Sequence, residues 1–150
     1  MGVRFMLNKI LVPVDGSETA WRALAEAKDL AVKFGASLVV VNVVQMYSSM
    51  SIPVVPLDQE TFRDGNKALR EIGEKILADA KEKLTGFIGP VEYVQEVGHP
   101  SRRILAVCED KQCDAIVIGC RGLSGIEEFF LGSVSSKVLE YSKVPVLVVK

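Results

Sequence analysis

The chain has 150 residues, 49% of them hydrophobic and 25% charged, with a net charge of −1. That length predicts one domain spanning 1–150, able to bury about 70% of its unfolded surface. The balanced charge argues against nucleic acid or an anionic membrane as partner, and no apolar run reaches the ~18 residues that cross a bilayer. The first residues, MGVRFMLNKILVPVD, carry no signal-peptide cleavage region and read as the approach to a strand, so the expected location is the cytoplasm. Three cysteines, Cys108, Cys113 and Cys120, have no metal spacing and no even count for a disulfide framework.

In chain order, residues 8–14 (NKILVPV) form a short, β-branched apolar run, the pattern of a strand buried on both faces. Asp15-Gly16-Ser17 supplies a tight turn and a helix N-cap. Ala20, Leu24, Ala27, Ala31 and Phe34 keep helical spacing, and Gly35 stops the helix. Residues 37–44 (SLVVVNVV) are a second buried strand. Residues 45–57 hold prolines and serines and no charge before Asp58. Their apolar members Met46, Tyr47, Met50 and Ile52 suit either a pocket lining or packing on the sheet.

A long helix is expected from about 58 to 84, with Leu69, Ile72, Ile76, Ala80 and Leu84 as its apolar stripe. Residues 91–97 (VEYVQEV) alternate as a half-exposed edge strand does. Gly98-His99-Pro100 then turns into a helix carried by Ile104, Leu105 and Cys108, with His99 in a surface or capping role. A strand over 114–119, a loop, a helix marked by Val134, Val138 and Tyr141, and a last strand over 144–149 complete the alternation. Strands alternating with helices predict an α/β fold: an open, twisted parallel sheet of five strands with helices on both faces.

Gly119 to Ser136, GCRGLSGIEEFFLGSVSS, is the stretch with chemistry. Glycines permit close backbone approach. The first amides of a helix are unpaired and sit at the positive end of its dipole. Ser133, Ser135 and Ser136 offer hydroxyls, and the Arg121 guanidinium can fork onto phosphate oxygens. The expectation is an anion site for phosphate. In an open α/β sheet such a site lies beyond the carboxyl ends of the strands, which adds the loop Pro13-Val14-Asp15-Gly16-Ser17. Asp15 suits either a ribose hydroxyl pair or a helix cap. Cys120 in the phosphate loop is either redox-sensitive or a small-residue filler. No Rossmann GxGxxG, no P-loop and no acidic phosphoacceptor cluster is present, and His99 is the one histidine.

The same stretch resembles the ATP-binding branch of the universal stress protein family. Gly119-x2-Gly122-x9-Gly132-Ser133 matches the family motif G-x2-G-x9-G-[ST], and RGLSGIEEF, LGSVSSKVL, ILVPVDGSE, VVNVV, GHPSRRI and CDAIVIG match its flanking words. The resemblance implies an adenine nucleotide alpha hydrolase-like sheet of order 3-2-1-4-5 and ATP bound with Mg2+ or Mn2+. It implies that the backbones of Pro13 and Val43 frame the adenine, beside Val14, and that Asp15 holds the ribose. Gly119, Arg121, Gly122, Gly132, Ser133, Val134 and Ser135 would surround the phosphates. It also implies a homodimer through the edge strand Val144–Val149, for which burial under a helix of the same chain is the alternative. The expected function is an ATP-dependent regulatory or stress-response module. A slow ATPase using Asp15, Glu127 or Glu128 as base, and a nucleotide-free structural dimer, are the competing functions.

Overall fold

The computed structural model describes residues 6–46, 58–122 and 131–150. Tyr47, Met50, Ile52, Glu127 and Glu128 therefore lie outside the described residues. The elements run β1 (Lys9–Pro13), α1 (Glu18–Phe34), β2 (Ser37–Val44), α2 (Gln59–Lys83), β3 (Val91–Val97), α3 (Pro100–Asp110), β4 (Ala115–Gly119), α4 (Ser133–Tyr141) and β5 (Val146–Val149). All pairings are parallel, and the strand order is β3-β2-β1-β4-β5. Crossovers of this kind need a helix between paired strands, which is what the α/β alternation supplies.

Alternate residues of the central strands feed two cores. Ile10, Val12, Leu38, Val40 and Val117 pack with Ala23, Leu24 and Ala27 of α1 and with Ala80 of α2. Leu11, Val39, Val41, Ile116 and Ile118 pack with Ile104, Val107 and Cys108 of α3 and with Val138 of α4. The strands nearest the centre thus have apolar cover on both sides, and their near-continuous apolar sequence follows from that. Cys108 is a small core residue, as expected, at 7% exposure.

The helices start and stop on local signals. Ser17 caps α1 by accepting from the Ala20 amide, and Gly35 closes it in the left-handed region at φ 66°. Asp58 caps α2 by accepting from the Thr61 amide. Pro100 opens α3 after His99, whose side chain makes no cap hydrogen bond.

Three stripe assignments are corrected. Phe34, the last residue of α1, is 57% exposed, whereas Ala31 in the same turn is the residue that packs into the core. Ile72 is 58% exposed. The residue of α2 that meets β2 is Gly73, where an added Cβ would stand 2.5 Å from Asn42 Oδ1. A helix that close to the sheet presents Gly73, Leu77 and Ala80, and turns Ile72 to solvent. Tyr141 is 65% exposed, because the buried line of α4 runs through Ser135 and Val138 and would continue at residue 142.

Candidate functional site

A cavity of about 700 Å³ opens beyond the carboxyl ends of β1, β2 and β4. β1 lies between β2 and β4 in the sheet, so the chain leaves β1 and β4 in opposite directions and a crevice opens between them. Its volume falls within the range of about 300–1,000 Å³ usual for small-molecule pockets.

The turn after β1 builds one wall. The Val14 amide donates to the Val41 carbonyl at 2.8 Å, and the Asn42 side-chain amide donates to the Val14 carbonyl at 2.8 Å. Both edges of the Val14 peptide are therefore held by β2. Gly16 then turns at φ 87°, where a side chain is strained. Asp15 Oδ1 accepts from the Ser17 amide at 2.9 Å, while Ser17 itself is the cap of α1. Of the two expected roles for Asp15, helix capping thus belongs to its neighbour. Asp15 Oδ2 faces Gly122, where an added Cβ would stand 2.7 Å from it.

The end of β4 builds the opposite wall. An added Cβ on Gly119 would stand 2.7 Å from Thr19 C and 2.8 Å from Ala20 N. The first glycine of the loop is thus required by the packing of α1 on β4. The Arg121 carbonyl accepts from the hydroxyls of Thr19 and, at 3.5 Å, Ser17. The loop therefore starts pinned to the first turn of α1. It returns against the same strand end: the Gly132 amide donates to the Cys120 carbonyl at 2.7 Å, as does the Ser135 hydroxyl at 2.7 Å. Ser135 is 3% exposed and its single hydroxyl proton goes to that carbonyl, so the donor expected from it is committed to the protein. Ser133 stands exposed at the rim.

Gly132, the N-cap of α4, has no side-chain cap bond. The first turn of α4 therefore brings amides that no side chain of the described residues caps to the cavity wall, with the positive end of the helix dipole. Among the described residues lining the cavity, Arg121 and Asp15 are the charged ones. Val41, Val43, Ile104 and Ile118 give the cavity an apolar wall. The arrangement has an apolar slot, a carboxylate midway and a cationic, amide-rich end.

All eleven residues expected at the site, Pro13, Val14, Asp15, Val43, Gly119, Arg121, Gly122, Gly132, Ser133, Val134 and Ser135, line this one cavity. Ser136 is not among its lining residues, nor are His99 and Cys120. Cys120 is 5% exposed, and His99 Nδ1 lies 3.4 Å from the Ser101 hydroxyl. Sequence reasoning missed the floor residues Val41, Pro100, Ile104 and Ile118, together with Gln45 and the anchoring role of Thr19. The i, i+2 spacing of Val41 and Val43 on one face of the second strand was the available signal; the α3 residues had none. Among the described residues no group of three or more His, Cys, Asp or Glu is placed to hold a metal ion, and no helix is long and apolar enough to cross a membrane.

A parallel α/β sheet with such a crevice at its switch point defines a protein of the doubly wound class. Residues 6–150 match the universal stress protein family model, and the chain belongs to that family. It is 36% identical to universal stress protein YxiE of Bacillus subtilis over 97% of this chain and 100% of that protein. The solved structure of MJ0577, a universal stress protein of Methanocaldococcus jannaschii, superposes with a TM-score of 0.82 at 30% identity, over 97% of this chain and 96% of that one. A family member from Arabidopsis thaliana, solved with AMP bound, shares the fold at TM-score 0.65 and 22% identity, over 95% and 91% of the chains.

Proposed function

We propose that residues 1–150 act as one universal stress protein domain that binds ATP in this cavity as a nucleotide-dependent regulatory module of the cytoplasm. The observation that carries this reading is the polarity of the cavity: apolar walls from Val41, Val43 and Ile104 at one end, Arg121 and the uncapped start of α4 at the other. A purine fits the first and phosphates the second. Asp15 Oδ2, between them, is the acceptor for ribose hydroxyls. AMP in the Arabidopsis relative supports an adenine nucleotide as the ligand class. With Asp15 the one carboxylate among the described lining residues, Mg2+ or Mn2+ would be held chiefly by phosphate oxygens and water, as Mg2+ usually is, and would neutralise phosphate charge.

The chain further pairs with a second copy through β5, an edge strand whose Leu147 is 45% exposed. A homodimer is the expected mass in solution, and a monomer at all concentrations would discard this part.

The test of the central reading is nucleotide content after native purification, followed by calorimetric titration with ATP, Mg-ATP, ADP and AMP. Retained ATP, or tighter binding of Mg-ATP than of AMP, is expected. Release of ADP over time would convert the module into a slow ATPase. An empty protein that gives no heat with any of the four overturns nucleotide binding.

A further inference from the structure

We propose that Cys108 and Cys113 form a reversible dithiol–disulfide couple at the junction of α3 and β4, independent of the nucleotide cavity.

The backbone at the end of α3 brings the two residues together. Lys111 is the C-cap, and Gln112 follows in the left-handed region at φ 55°. The Gln112 amide donates to the Glu109 carbonyl at 3.1 Å, and the Cys113 amide donates to the Cys108 carbonyl at 2.9 Å. These two bonds are the 5→2 and 6→1 pair of a Schellman motif, in which the side chains at the two outer positions characteristically meet. Here both outer positions are cysteine. With ordinary backbone bond lengths, the Cys113–Cys108 bond keeps the two Cα atoms within about 6.8 Å, inside the span of about 4.4–6.8 Å that a disulfide bridges. The side chains follow the backbone: the Cys108 thiol donates to the Cys113 carbonyl at 3.9 Å. Gln112 occupies a position where glycine is favoured, and the paired bonds hold it there.

Contact with Cys108, together with burial, pushes the Cys113 thiol up, which leaves Cys108 to open the exchange. Both are buried, at 7% and 5% exposure. Attack therefore proceeds as the last turn of α3, where Glu109 and Asp110 are exposed, frays. With a low-molecular-weight disulfide as oxidant, the Cys108 thiolate attacks one of its sulfurs and expels a thiolate. The Cys113 thiol then gives its proton to solvent or to that thiolate and attacks Cys108 Sγ, expelling the second. Two cysteines lose two electrons and two protons, and the reagent becomes two thiols. The bond ties the end of α3 to the start of β4, elements that reach the cavity through Ile104 and Ile118.

The experiment equilibrates the full-length protein with oxidised and reduced glutathione at stepped ratios, quenches with acid, alkylates, and counts free thiols by intact mass. The expected count falls from three to one and returns to three with excess reductant. Trypsin cuts after Lys111, between the two cysteines, so only the bond holds the peptides 104–111 and 112–121 together, and fragmentation separates Cys113 from Cys120 within the second. Cys108→Ser should abolish the loss of two thiols, and Cys113→Ser should stop at a glutathione adduct on Cys108. Three alkylatable thiols at every ratio, or a bond that includes Cys120 or a second chain, would overturn the proposal.

Discussion

Gly122→Ala isolates the site chemistry from the fold. The new Cβ would stand 2.7 Å from Asp15 Oδ2 and 3.9 Å from its Cγ, with nothing else of the described protein in the way. Non-bonded atoms rest at about 3.5 Å, so the carboxylate must move by roughly 0.8 Å. The carboxylate can move by loosening the Ser17 amide bond to Oδ1, so the fold loses at most that bond, a net of about 1 kcal/mol. The ribose loses its acceptor. Hydrogen bonds to a charged group contribute about 1.5–3 kcal/mol, so Mg-ATP should bind roughly 10- to 100-fold more weakly. Gly119→Ala is the contrast. There the Cβ meets main-chain atoms of Thr19 and Ala20 at 2.7–2.8 Å, and helix α1 must shift on β4, which costs about 1–3 kcal/mol as overpacking does. Calorimetric titration paired with urea denaturation separates the two variants. If Gly122→Ala binds Mg-ATP within twofold of the parent, Asp15 does not hold the ribose and the orientation of the nucleotide given above is wrong.

Thr19→Val removes a hydroxyl donor from the Arg121 carbonyl and should cost about 1 kcal/mol of stability as well as loosening nucleotide binding; Thr19→Ser should restore both, and titration of the three proteins decides. Gly73→Ala should destabilise by about 1–3 kcal/mol although alanine gains about 1 kcal/mol of helix propensity, because the Cβ would sit 2.5 Å from Asn42 Oδ1 and 2.7 Å from Gln95 Nε2; a higher urea midpoint for the variant would refute the packing assigned to α2. Acid should act on the start of α2. The Asp58 carboxyl is held below its ordinary value of 3.8 by the hydrogen bond from the Thr61 amide. Its contribution is therefore complete above that value and is lost as pH falls through the lower folded value. Amide exchange at Thr61 and Phe62 should accelerate there in the parent and be pH-insensitive, after correction for intrinsic exchange, in Asp58→Ala.

The order and type of the elements were legible because they rest on local chemistry. A run such as KILVP has few alternatives to a buried strand, Ser17 and Asp58 cap helices within four residues of themselves, and Gly35 needs no distant partner to end one. The Gly119–Ser136 stretch and the Asp15 turn were legible for the same reason, since a strand followed by glycines and a helix start is a pattern along the chain. What tertiary structure decided was which atoms meet across it. Gly119 reads as a phosphate glycine until Thr19 is found against it. Ser135 reads as a free hydroxyl until the Cys120 carbonyl takes its proton. Ile72 reads as core until Gly73 brings the helix onto Asn42. Periodicity fixes a helix face to within about one residue, or 100°, and the closeness of approach between elements fixes the rest. The cavity floor from α3 could not be read from local pattern at all, because Ile104 and Val43 are neighbours only once five strands have been laid side by side.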